Sequence, residues 1–184
     1  HTIYPDCFKL TGRYQILNDS VGDIFSLIAG ITAIVPTTEG LDDLGSFHHG
    51  HFEAEAHLAV GSESVCGDQW RSRVWALGAI GCATDEGSPW VRANFNYETH
   101  WRDDILLKGF VNTLWGFGGN AVHRHGFRGY GSIAHRSIDV GVGLRYTTEC
   151  DLTISAGYAY RVYAHNFPKN TNLFTIDLLY PFNL

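Results

Sequence analysis

Methionine is absent from the 184 residues, proline occurs only 5 times, and charged residues make up only 17%. With His1 in first place, the missing methionine is read as a processed or truncated start from which any export signal has gone. Scarce proline and charge, beside 14% aromatics and 21 glycines, exclude a disordered or low-complexity chain. Long apolar runs are missing too. The longest candidate, 24–35, is broken by Ser26, Gly30 and Thr32, short of the roughly 18 apolar residues a spanning helix needs, so a helical membrane protein is excluded. A basic excess is also lacking: the net charge is −6 and the cations are scattered singly, so no nucleic-acid partner is expected. The 4 cysteines (Cys7, Cys66, Cys82, Cys150) contain no C-x-x-C pair. Their even count is compatible with disulfides in an oxidising compartment.

What the chain has is strict alternation of apolar and polar residues, the signature of strands with one greasy face. In 138–146, Ile138, Val140, Val142, Leu144 and Tyr146 alternate with Asp139, Gly141, Gly143 and Arg145. The pattern returns in 152–162 and in 174–182, where Phe174, Ile176 and Leu178 oppose Thr175 and Asp177. Upstream it recurs in 9–16, 25–35, 51–60 and 91–97. Segments 70–82 and 105–117 have strand composition but mixed faces. The total is about nine strands in one domain over 1–184.

Length and polarity separate this reading from a soluble sandwich or ligand barrel. Several segments run about 10–13 residues, as a tilted membrane-crossing strand requires, whereas globular strands average about 5 or 6. The polar faces carry Lys9, Arg13, Glu53, Glu55, His57, Arg92, Glu98, Arg145, Arg161 and Asp177, and aromatic residues stand at strand ends as in an interfacial girdle. Connections near 18–22, 61–68, 99–103 and 147–151 are mostly tight, while 36–46, 118–135 and 165–170 are longer. The expected fold is therefore all-β: an antiparallel up-and-down transmembrane β-barrel of about 8–10 strands, in a bacterial outer membrane with the lipid bilayer as partner. Closed barrels favour an even count, so eight or ten strands are expected, with a strand preceding His1 or completion by a partner as the other ways to even the number.

The run Ser20-Val21-Gly22-Asp23-Ile24-Phe25 through Ile31-Thr32-Ala33-Ile34-Val35-Pro36-Thr37-Thr38 resembles the small outer-membrane proteins grouped as transporters of phenol meta-cleavage pathways. In them a Gly-Asp pair opens a strand that closes on a Pro-Thr-Gly-like turn. Val142-Gly143-Leu144-Arg145-Tyr146 followed by Asp151-Leu152-Thr153-Ile154-Ser155-Ala156-Gly157-Tyr158 looks like that family's paired closing strands. The resemblance implies export, a barrel, and small hydrophobic or aromatic cargo.

Few constellations suggest chemistry. Phe47-His48-His49-Gly50-His51 offers histidines two apart, His49 and His51, that would share a strand face and converge on a metal ion; the plainer reading is a polar strand start with lumenal histidines. His1, through its amine and ring, could chelate copper as in secreted oxidative polysaccharide monooxygenases. No nucleophile elbow, phosphate-binding glycine loop or H-E-x-x-H occurs, and nothing ties Ser137 to His165 as a lipid-modifying pair would need, so an enzyme and a resident cofactor are not expected. Strand geometry puts Cys66 and Cys82 at opposite rims, out of disulfide reach; Cys7 with Cys82 on the outer rim and Cys66 with Cys150 on the inner rim are the open pairings. Two functions follow as expectations: a passive transporter or narrow channel for small molecules lined by the inward charges, or a plugged barrel whose outer loops meet a protein partner or a further copy. The secreted copper enzyme is the third.

Overall fold

The computed structural model describes residues 5–44, 46–66, 69–84, 87–123, 127–148 and 150–180, the side chains of 66, 69 and 70 excepted. Nine antiparallel strands follow one another in sheet order: β1 (Cys7–Leu17), β2 (Ser26–Pro36), β3 (Glu53–Cys66), β4 (Gln69–Ala83), β5 (Trp90–Arg102), β6 (Ile105–Phe117), β7 (Ala134–Thr147), β8 (Thr153–His165) and β9 (Asn172–Leu179). A five-residue α-helix, α1 (Thr38–Asp42), sits in the β2–β3 connection, capped by the Thr37 side chain. All nine segments of alternation are strands, including the two with mixed faces. Their ambiguity has a simple cause: the inner face of β4 carries Trp75 and Leu77, and that of β6 carries Phe110 and Leu114, opposite polar inner residues of their neighbours.

Burial is inverted relative to a water-soluble protein. Phe174, Ile176 and Leu178 of β9 are 77%, 78% and 70% exposed, and Leu10, Ile31 and Val142 stand outward in the same way. Glu53, Glu98 and Arg161, on the opposite face of their strands, are each 2% exposed. The rows that would pack together in a dry soluble core are thus the uncovered ones. No helix among the described residues is long and apolar enough to cross a membrane, a statement that does not bear on strands.

The connections alternate between two rims. One carries 18–25, 103–104 and 148–152; the other carries 84–89, 166–171 and the two longest, 37–52 and 118–133. The sheet curls far enough that β1 and β7 line a common cavity. It does not close. Among the described residues β1 pairs only with β2, and β9 only with β8, so the expected even-numbered, closed barrel is corrected to an open nine-stranded sheet.

The register places Cys82 opposite Ala54 and Cys66 opposite Gln69, at opposite ends of the β3–β4 pair, so those two cysteines cannot meet. Cys7 and Cys82 share the long-loop rim, but Cys7 stands on the inner face with Lys9 and Cys82 on the outer face with Ile80, so their expected pairing is corrected too. Cys7, Cys82 and Cys150 are free thiols. The Cys66 side chain lies outside the described residues.

Inner-face glycines admit the curl where a ring crosses from the paired strand. A Cβ on Gly116 would lie 2.0 Å from Cε1 of His135, its cross-strand partner, and one on Gly81 would lie 2.2 Å from the ring of Trp90. Gly78, on the outer face, has nothing within 4 Å of where a Cβ would stand. Gly116→Ala is expected to lower unfolding stability by about 1–3 kcal/mol, as overpacking does. Gly78→Ala should be neutral or raise it by up to about 1 kcal/mol. Equilibrium denaturation midpoints of the two variants check the contrast.

Candidate functional site

The interior divides into a capped half at the long-loop rim and an open half toward the tight rim. In the capped half, Arg161 of β8 donates from Nε to Asp139 Oδ1 (2.7 Å) and from Nη2 to Oδ2 (3.1 Å), a two-pronged pair across the β7–β8 register. A bulge between Ile138 and Asp139 sets the two opposite each other. The guanidinium lies 4.8 Å from the ring of Phe47 and 5.2 Å from that of Phe167, and reaches the Pro168 carbonyl at 3.4 Å. One cation therefore joins the sheet to the β2–β3 and β8–β9 connections.

Above it Phe127, Tyr130, Ile133 and Phe167 of the loops form a small apolar core with Ala164 of β8. Phe47 meets Phe167 edge-on at 4.3 Å, and Tyr130 stacks on Phe167 at 4.8 Å. Tyr130 is fully buried; its hydroxyl donates to Leu44 O (2.9 Å) and its amide to His48 O (2.7 Å). Ser88 N donates to Gly131 O (2.6 Å), so the 84–89 connection joins the same cap. Burial raises the Tyr130 phenol to about 12, outweighing the opposing pull of the Arg161 charge.

Below the cap sits a row of acids and histidines. His49 stacks on Trp90 at 3.8 Å and its Nε2 lies 3.1 Å from His135 Nε2. Glu53 accepts the His49 amide in a short bond and faces His48 Nδ1 at 3.5 Å, while Asp6 faces His48 Nε2 at 3.1 Å. Burial alone would drain the charge from His48, but its bonds to Glu53 and the charge of Asp6 prevail and hold its pKa above the ordinary value. Glu55 takes Arg92 through Nε (3.0 Å) and Nη2. The His57 ring is buried beside Glu55, and neither of its nitrogens finds a hydrogen bond among the described residues.

The open half is a cavity of about 560 Å³ bordered by Arg13, His57, Glu63, Arg73, Glu98, Lys108 and Arg145. Glu98 organises it, accepting from Arg73 Nη2 (2.6 Å) and Trp75 Nε1 (3.2 Å) with Lys108 Nζ at 3.8 Å. A second cavity of about 260 Å³ adjoins it through Trp75, Lys108 and Arg145 and extends to Asp177.

Of the residues expected to line the lumen, Glu53, Glu55, His57, Glu98 and Arg161 are buried and Arg92 is half-buried. Lys9, Arg13, Arg145 and Asp177 are exposed, because they belong to the sheet edges or to the open half. His49 and His51 do not converge: His49 is buried against Trp90, whereas His51 precedes the first residue of β3 and is exposed, so the alternative of a metal ion held between them is corrected. Ser137 is buried and pairs with Ala164, while His165 is exposed. His1, and with it the copper reading, lies outside the described residues. Sequence reasoning left Asp139, Tyr130, His135 and Lys108 out of the site. Asp139 carried a signal, its place on the polar face of the β7 alternation, but its partner depends on register.

Because the raised phenol favours the neutral form in the folded state, Tyr130 contributes stability that is complete below its ordinary value of 10 and lost as pH rises through about 12. The cap is therefore expected to loosen between pH 10 and about 12, and Tyr130→Phe should abolish that step. Limited proteolysis of the 118–133 connection across the alkaline range, in both proteins, checks it. Compared with known proteins, the chain matches no family model, no curated protein and no solved structure.

Proposed function

We propose that the protein is an outer-membrane β-barrel-type protein whose lumen is blocked at the long-loop end, so that it acts as a membrane anchor presenting its loop cap to a partner. The observation that carries this reading is the inversion of burial, with outward rows such as Ile176 at 78% exposure and inward charges such as Arg161 at 2%. Lipid would cover the first set, and inward ion pairs satisfy the second. The block is supported by Arg161, Phe47, Phe167 and Tyr130, which occupy the long-loop mouth. Among the described residues the edges of β1 and β9 bear unpaired backbone groups that a bilayer cannot satisfy, so in the membrane they meet each other, further chain or another protein.

A second reading, a passive path for small molecules, is favoured by the cavity of about 560 Å³. Its cations, Arg13, Arg73, Lys108 and Arg145, suit small polar or anionic solutes better than the hydrophobic cargo implied by the resemblance to phenol-pathway transporters.

Two measurements test these readings. In lipid vesicles, Val142→Arg, in the middle of an outward row, should cost about 2–4 kcal/mol of unfolding free energy; on a water-exposed surface the same change would stay within about 0.5 kcal/mol, and that result would end the membrane reading. In planar bilayers the wild-type chain should be electrically silent, while Asp139→Asn, which takes away the counter-charge of Arg161 and loosens the mouth, should give conductance steps. Steady wild-type conductance favours the transport reading and refutes the block.

A further inference from the structure

We propose that Asp6, Cys7 and His48 form a zinc-type metal site at the long-loop mouth, with Glu53 as the carboxylate behind the imidazole. A carboxylate oxygen of Asp6, Sγ of Cys7 and a ring nitrogen of His48 lie within 4.8 Å of one another. Around tetrahedral zinc, with bonds of about 2.0–2.3 Å, such atoms stand roughly 3.3–3.8 Å apart. Closing the difference takes a contraction of about 1 Å. Asp6 Oδ2 and His48 Nε2 already stand 3.1 Å apart, so the contraction falls on the distances to Cys7 Sγ.

The donor set decides the class of ion. A thiolate, an imidazole and one carboxylate match a borderline-soft divalent metal, not magnesium or calcium, which take oxygen ligands. His48 already has the orientation a ligand requires: Nε2 points to Asp6, and Nδ1 faces the buried Glu53 at 3.5 Å. That is the carboxylate–histidine arrangement that stands behind metal-bound imidazoles and fixes their ring. Asp6 is held in place as well, since its carbonyl accepts Thr37 N at 2.9 Å and Thr37 Oγ1 at 3.2 Å. On Gly40, a Cβ would intrude to 2.3 Å from that same carbonyl oxygen.

The same three residues do not make a nucleophile triad. Both nitrogens of His48 face carboxylates, so neither is left to take the proton of Cys7. A metal ion would replace the proton shared by Nε2 and Asp6, and binding would release that proton and the thiol proton to solvent. With three protein ligands the fourth position falls to water. The site would clasp the edge strand β1 to the 37–52 connection, and it stands independently of the membrane and transport readings.

The test uses the full chain, folded in detergent and stripped with chelator, titrated with cobalt(II) chloride and back-titrated with zinc chloride. The wild type should bind one cobalt with a thiolate charge-transfer band that zinc abolishes. Cys7→Ser should lose the band and His48→Ala should lose binding. Glu53→Gln should weaken zinc by about 10–100-fold, the usual cost of losing such a partner. Cys82→Ser and Cys150→Ser should change nothing. Should His48→Ala fail to fold, as judged by circular dichroism, Cys7→Ser decides, because it alters only Sγ. No cobalt binding by the wild type, or a band that survives in Cys7→Ser, overturns the site.

Discussion

Arg161 sets the terms for the capped end of this molecule. A guanidinium almost wholly withdrawn from solvent is tolerable only when its donors are matched, and here two go to Asp139, one to the Pro168 carbonyl, and its faces lie against Phe47 and Phe167. Removing any of these would leave a buried charge with an unmet requirement, so the pairing constrains sheet and loops together. The β7–β8 bulge, the path of the 37–52 connection and the turn after β8 must all agree with the position of one cation. Charge inside the sheet thus does what apolar packing does in a soluble core: it selects one arrangement from many.

The same rule runs down the interior. Glu55 with Arg92, and Glu98 with Arg73, Trp75 and Lys108, form separate clusters, the first reaching from β3 across β4 to β5 and the second joining β4, β5 and β6. Toward the tight rim the pairing thins out and water-accessible cations remain, which is why one end of the interior is filled and the other hollow. Asymmetry between the ends follows from loop length. Only the long connections carry enough side chains to build an apolar core of their own over the mouth.

Much of this was legible without coordinates. Pattern and composition located all nine strands, and alternation assigned the faces of all but β4 and β6, because a strand's side-chain period of two is a local property of extended backbone. It also picked out Glu53, Glu55, His57, Glu98 and Arg161 as inward. It misjudged His51, since alternation extends a strand past the point where Gly50 and the stacking of His49 on Trp90 turn the chain. It could not supply the partner of Arg161, because which carboxylate stands opposite depends on a register shift of one residue.

By itself, the sequence determined that the chain is all-β, that its strands are long and sequential, and that all but β4 and β6 have a polar and an apolar face, all consequences of local periodicity and turn spacing. Tertiary structure alone decided which charges meet, that Cys7 and His48, 41 positions apart in the chain, come together with Asp6, and that β1 and β9 stay unpaired among the described residues. These are questions of curvature, register and loop path. They are settled by contacts between residues far apart along the chain, where a one-residue slip or a glycine under a ring changes the outcome and no local pattern records it.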